Sequence, residues 1–143
     1  MSDDDRTLQT TRWLPHAPAA VYAAFEDPAA LARWWGPEGF RNTFEVFEFR
    51  PGGLWRFVMH GPDGQDYANE SRFDALEPAA RVSIRHVCAP HFTLEVRLQA
   101  EDGGTRVHWA QTFDDAATAR AVAAIAGPGN EQNLDRLGRV LAG

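Results

Sequence analysis

The side chains able to do chemistry gather in a few places. His86-x-Cys88-x-x-His91 brings two imidazoles and a thiol together in one short stretch. These are zinc-ligand types, but zinc sites use three or four protein ligands and Pro90 marks a loop between two strands, so no metal is expected. His86 shares an alternating face with Val82 and Ile84, which turns its ring inward. A neutral imidazole there can hydrogen-bond a ligand carbonyl or hydroxyl, or act as acid or base; equally, it can bond to a neighbouring side chain such as Asn69 or Asn133. Carboxylates come from Glu70, Glu131 and Asp135. Strand parity puts Glu70 on the face opposite Asn69, in solvent or against an arginine. Asp135 beside Arg136 reads as a solvated helix face. No phosphate-binding glycine loop, serine elbow or paired-carboxylate spacing occurs, so no catalytic residue is assigned and the balance leans away from an enzyme.

Composition narrows the classes further. The chain has 143 residues, 44% hydrophobic and 24% charged, enough for one soluble domain with a real core. No apolar run reaches the roughly 20 residues that span a bilayer. The start, Met1-Ser2-Asp3-Asp4-Asp5, lacks the layout of a signal peptide, and Cys88 is the single cysteine. A cytoplasmic protein without disulfides is expected. A net charge of −6 argues against nucleic acid. All 14 basic side chains are arginine, which excludes lysine chemistry.

The elements that must position these residues follow from periodicity. Leu8 to Leu14 is a β-prone segment stopped by Pro15. Pro18 opens one helix, with Val21, Tyr22 and Phe25 as its buried stripe. Asp27-Pro28 opens a second, carrying Leu31, Trp34 and Trp35 and ended by Gly36-Pro37. Phe44 to Met59 reads as two strands folded around Pro51-Gly52-Gly53. Four more strands follow over Tyr67–Leu76, Arg81–Val87, Phe92–Ala100 and Thr105–Phe113, with Asp102-Gly103-Gly104 as a hairpin turn. Alternation of apolar and polar residues marks an antiparallel sheet with one buried face. The second strand stays ambiguous, because Phe44 and Val46 compete with Phe47 and Phe49. From Asp115 to Leu141 the spacing becomes helical, capped by Asp114 or Asp115. A kink or break is expected at Gly127-Pro128-Gly129, with Asn130 either capping the second part or facing inward.

The inward rows gather Trp55, Phe57, Met59 and Phe73 from the early strands and Phe92 and Trp109 from the late ones. Asn69, Ser71, His86 and Gln111 share those rows, and Asn130 and Asn133 lie on the helix just past the expected kink. Buried polar groups without partners cost roughly 1–3 kcal/mol each. Either these bond to one another and to the helix, or they face a space that holds water or ligand.

The chain resembles the START-like, or SRPBCC, helix-grip superfamily, and within it the bacterial single-domain relatives of the activator of the heat-shock-protein-90 ATPase. The resemblance is carried by Ala17-Pro18-x-x-Val21-Tyr22, by Asp27-Pro28-x-x-Leu31-x-x-Trp34-Trp35-Gly36-Pro37 and by Arg50-Pro51-Gly52-Gly53-x-Trp55. Gly61-Pro62-Asp63-Gly64-x-Asp66-Tyr67, Asn69-Glu70, His86-Val87 with Pro90-x-Phe92, Gly104-Thr105-Arg106 with Trp109, and Asn130 to Leu137 complete it. It implies an α+β helix-grip fold over residues 1–143 as a single START-like domain. In that fold a curved antiparallel sheet of six to seven strands wraps around a long C-terminal helix, with two short helices after the first strand. A ligand cavity would lie between sheet and helix. Superfamily members bind lipids, hormones and polyketides, and some catalyse cyclisation. The eukaryotic co-chaperone uses an additional N-terminal domain to which nothing here corresponds, so co-chaperone activity is not expected.

The expected function is therefore binding of a small apolar or aromatic molecule, without cofactor, metal, nucleic acid or membrane, by a monomer or homodimer. Trp34, Trp55, Phe57, Met59, Phe73, Phe92 and Trp109 would supply apolar contact, and Asn69, His86, Gln111, Asn130 and Asn133 would orient the ligand. A small cyclase, hydrolase or isomerase with His86 as base is one alternative. A stress-related protein-interaction domain without ligand is another.

Overall fold

A computed structural model describes residues 5–143; the acidic stretch over 1–4 lies outside the described residues. The elements run β1 (Thr7–Leu14), α1 (Pro18–Glu26), α2 (Pro28–Trp34), β2 (Arg41–Phe47), β3 (Leu54–His60), β4 (Asp66–Glu77), β5 (Arg81–His86), β6 (Phe92–Glu101), β7 (Gly104–Phe113) and α3 (Ala116–Ala142). The seven strands form one antiparallel sheet in the order β1-β7-β6-β5-β4-β3-β2. Every neighbour from β2 to β7 is a sequential hairpin, as the short turns demand. The exception is β1, which pairs with β7 at the far edge, so α1 and α2 carry the chain from one sheet edge to the other.

Local chemistry sets these boundaries. Pro18 and Pro28 occupy the first helical turns, where the missing N–H costs nothing. Asp27 ends α1 and caps α2, its carboxylate accepting from the Ala29 N–H at 3.0 Å. Gly53 sits where a β-carbon would stand 1.9 Å from the carbonyl oxygen of Glu48, so no larger residue fits that turn. Two bulges settle which side chains face the core. In β2 the register shifts between Phe44 and Val46, after which Phe47 opposes Trp55 as Phe44 opposes Phe57. The extra residue restores Phe44, Phe47 and Phe49 to one side, which is why simple alternation could not decide this strand. A second shift between Phe73 and Ala75 places Leu76 opposite Val82.

The helix α3 runs through Gly127-Pro128-Gly129 without a break over 27 residues, about 40 Å at roughly 1.5 Å per residue. Pro128 is exposed and withholds one N–H from the helix ladder, but the turns on either side carry it. Asp115 caps α3, accepting from the Thr118 N–H at 2.7 Å. Asn130 therefore does not cap a second segment. The helix lies against α1, α2, β1 and β7. Leu134 and Leu137, both fully buried, anchor its C-terminal half. Behind it, Trp34 meets Phe25 edge-on at 4.8 Å between ring centres, and Trp55 stacks on Phe57 at 4.2 Å.

Candidate functional site

A pocket of about 250 Å³ lies between the sheet and the middle of α3. Its floor is β3 to β7, through Phe57, Met59, Ser71, Ile84, Phe92, Leu94 and Trp109; its roof is Ile125, Ala126, Gly129, Asn130 and Asn133. Trp35, Gly36 and Pro37 close one end. Ile125 is 79% exposed, which puts one mouth of the pocket at the outer side of α3. Met59, Asn69, His86 and Pro90 also border a second recess walled by Phe40 and Tyr67.

Nine of the twelve residues expected at a ligand site line this pocket: Phe57, Met59, Asn69, His86, Phe92, Trp109, Gln111, Asn130 and Asn133. Trp34, Trp55 and Phe73 do not; they are fully buried in the layer behind it. For Trp34 the reason is helical geometry. It and Trp35 are consecutive, so they cannot face the same way; Trp34 turns into the core and Trp35 toward the pocket. Trp34 donates its indole N–H to the Ala24 carbonyl at 3.0 Å. Trp55 lies between Phe57 and Phe73, with ring centres 4.2 and 5.8 Å away.

The polar residues form three separate pairings. The His86 Nδ1–H donates to the Pro90 carbonyl at 2.7 Å, so Nε2 of the neutral ring can only accept; it has the Asn69 carboxamide at 2.8 Å, placed to donate its N–H₂, and Cys88 Sγ at 3.4 Å. The ring also stacks on Phe92 at 4.5 Å and 15°. Of the two roles open to His86, the bond to Asn69 is present, and Asn133 is not its partner. Asn130 donates to Gln111 Oε1 at 3.1 Å, tying α3 to β7 across the pocket. Asn133 donates to the Trp34 carbonyl at 2.8 Å. Two buried indole N–H groups, of Trp55 and Trp109, have no partner among the described residues and are sealed from the pocket. Glu70 pairs with Arg56 at 3.3 Å on the outer face, as parity requires. No group of three or more His, Cys, Asp or Glu residues suited to a metal ion occurs among the described residues.

Burial holds the His86 imidazole below its ordinary pKa, opposed by the Pro90 carbonyl, which favours the charged ring. The neutral form is thus preferred in the fold. Below the unfolded value of about 6.5 the unfolded chain takes up a proton that the folded one resists. This contribution to stability is full above that pH and is lost as the pH falls through it toward the folded value. Urea melts of wild type and His86→Gln between pH 7.5 and 5 should show the wild type losing stability more steeply; parallel curves would contradict this assignment.

The side chain that sequence reasoning missed is Arg136. Far from sitting on a solvated face, its guanidinium reaches across to α2 and the following loop. Nη1 donates to the carbonyls of Trp35, Gly36 and Pro37 at 2.9 to 3.0 Å, and Nη2 to those of Arg33 and Phe40 at 2.9 Å. It thereby caps the negative end of α2 and fixes the loop that closes the pocket. Its neighbour Asp135 does face solvent, where it pairs with Arg12 at 2.8 Å, and Glu131 joins the same arginine at 3.1 Å. The helical period could have separated Arg136 from Asp135, since Asn133 and Leu137 flank it on the inner side. Nothing in the sequence marks which carbonyls it meets.

Known proteins share this architecture. Solved structures similar to the chain include a protein from Arthrobacter aurescens, 23% identical with a TM-score of 0.89, covering 99% of this chain and 89% of that one. Protein NE0264 from Nitrosomonas europaea is 20% identical, TM-score 0.89, covering 99% and 97%. A protein from Rhodobacter sphaeroides is 29% identical, TM-score 0.85, covering 96% and 93%. No curated protein matches. The family model described as Activator of Hsp90 ATPase homolog 1-like protein matches residues 15–142, nearly the whole chain. With its curved seven-stranded sheet and long C-terminal helix, the chain therefore belongs to the Activator of Hsp90 ATPase homolog 1-like family, a START-like relative of helix-grip architecture.

Proposed function

We propose that this protein is a cytoplasmic START-like domain, residues 1–143, that binds a small apolar or aromatic molecule between the sheet and α3. The observation that carries this reading is the pocket itself: about 250 Å³, walled by aromatic and aliphatic groups, with a few polar side chains on its rim. That composition is the usual one for small-molecule sites. An engineered apolar cavity of about 150 Å³ already takes up benzene, so the space suits one or two rings. The family fold supports the same reading. No helix is long and apolar enough to cross a membrane among the described residues.

Binding without catalysis is favoured over turnover by the state of His86. Both of its ring nitrogens already have neighbours within the protein, and no carboxylate is paired with it.

A pocket-filling substitution tests the reading. At Gly129 an added β-carbon would touch only Pro37, at 3.5 Å, so a larger side chain can enter the pocket while the helix gains from losing a glycine. Gly129→Leu should keep or raise the Tm and abolish the fluorescence enhancement that the uncharged dye N-phenyl-1-naphthylamine is expected to show with wild type. Equal dye binding by both proteins, or none by wild type, would overturn the proposal.

A further inference from the structure

The walls of the pocket specify what it accepts more narrowly than apolarity does, an inference that rests on the binding proposal above. Among the described residues no Arg, Asp or Glu side chain lines it, and the chain has no Lys. His86 is the one ionisable lining group, and burial keeps it neutral. Two arginines beside its lining residues are spent elsewhere. Arg136 is committed to five backbone carbonyls, and Arg85 grips Asp114 through two hydrogen bonds of 2.7 and 2.8 Å. An anion drawn into this space would lose its water and find no counter-charge, which is the costly case.

The pocket is nonetheless not purely greasy. Ser71 is 2% exposed and lines it, and its hydroxyl has no partner among the described residues. Asn133 is 6% exposed; its amide N–H is used on Trp34, which leaves Oδ1 without a partner among the described residues. Gln111 accepts from Asn130 and so keeps its own amide N–H₂ free. Ser71 on β4 and Gln111 on β7 stand three strands apart, roughly 14 Å at about 4.8 Å per strand, so a polar group on a ligand meets one of them: the Ser71 hydroxyl can both give and accept, and the Gln111 amide can give. The surfaces around them are flat: Trp35, Phe57, Phe92 and Trp109.

We infer that the pocket takes an uncharged aromatic molecule of one or two rings bearing a hydroxyl or carbonyl group, and discriminates against carboxylates and other anions of the same shape. A hydroxyl can give and receive a hydrogen bond there, and an ionised carboxylate can only receive. Matched probes decide this: 2-naphthol, 2-naphthoate and naphthalene, titrated near pH 7.5 by isothermal calorimetry against wild type, Ser71→Ala and Gln111→Met, each variant first shown to have the wild-type Tm. Wild type should bind 2-naphthol at least about tenfold more tightly than 2-naphthoate, a difference of about 1.4 kcal/mol. One of the two variants, Ser71→Ala or Gln111→Met, should weaken 2-naphthol by roughly three- to tenfold, the worth of one hydrogen bond, and neither should change naphthalene. Equal or tighter binding of 2-naphthoate would overturn the inference while leaving a binding pocket in place. So would equal affinity for naphthalene and 2-naphthol. Failure of all three probes to bind would overturn the pocket reading and this inference together.

Discussion

Replacing Arg136 with methionine is expected to cost the fold about 3 kcal/mol, read as a lower urea midpoint at unchanged slope. The size follows from what the guanidinium holds. Five carbonyls converge on its two terminal nitrogens, all from α2 and the loop that follows it. A hydrogen bond to a charged group contributes roughly 1.5–3 kcal/mol. The full sum is not expected, because the arginine is only half-buried and some freed carbonyls can turn to water. Methionine keeps much of the side-chain bulk, so the loss isolates the hydrogen bonds from packing. Arg136→Lys should recover less than half of it, since a compact ammonium cannot span carbonyls that a planar fork reaches. A cost below about 1 kcal/mol for the methionine variant would mean that the loop closes without this arginine. Because Trp35, Gly36 and Pro37 wall the pocket, the same variant should loosen ligand binding even where it remains folded.

Trp55→Ala should cost about 3–5 kcal/mol, the range for removing a large aromatic side chain from a core. Trp55 has no exposed surface and meets five other rings, those of Trp35, Phe44, Phe47, Phe57 and Phe73, with centroids 4.2 to 6.1 Å away. Truncation would open a cavity that these rings cannot collapse to fill. Its indole N–H has no partner among the described residues, so no hydrogen bond between them is lost with it. Trp55→Phe should therefore be much milder, under half the cost of the alanine variant, since it removes the unsatisfied donor while retaining a ring. Thermal and urea unfolding of the pair would check both. A near-neutral Trp55→Ala would contradict its place in the core.

The fold was legible because its signals are local and repeated. Alternation in Val82–His86, Phe92–Leu98 and Val107–Phe113 identifies inward faces, and Pro18, Asp27-Pro28 and Asp115 mark helix starts by their own backbone chemistry. Alternation failed where a bulge changed the count, at Phe44 to Val46 and again at Phe73 to Ala75. The unbroken α3 was not legible: Pro128 between two glycines argues for a kink or break, while packing on both sides of it, at Ala116 and Ala119 and at Asn133, Leu134 and Leu137, keeps the helix continuous. At the pocket, parity placed Asn69, His86 and Gln111 correctly but could not tell lining from backing, so Trp55 and Phe73 were expected one layer too far forward. The long-range ties are invisible to spacing. Asn130 with Gln111, and Arg136 with the α2 loop, join segments that periodicity treats separately.

The central claim is that the space between sheet and α3 binds a small aromatic molecule, and the most direct measurement is a ¹⁵N–¹H NMR titration with 2-naphthol. The five tryptophan indoles and the asparagine and glutamine side-chain amides give separate signals distributed around the molecule. Saturable shifts should concentrate at the indoles of Trp35 and Trp109 and at the amides of Gln111, Asn130 and Asn133, with the outlying Trp13 unmoved, and they should vanish in Gly129→Leu. Absence of shifts at saturating probe, or shifts confined to Trp13 and the exposed surface, would contradict the account.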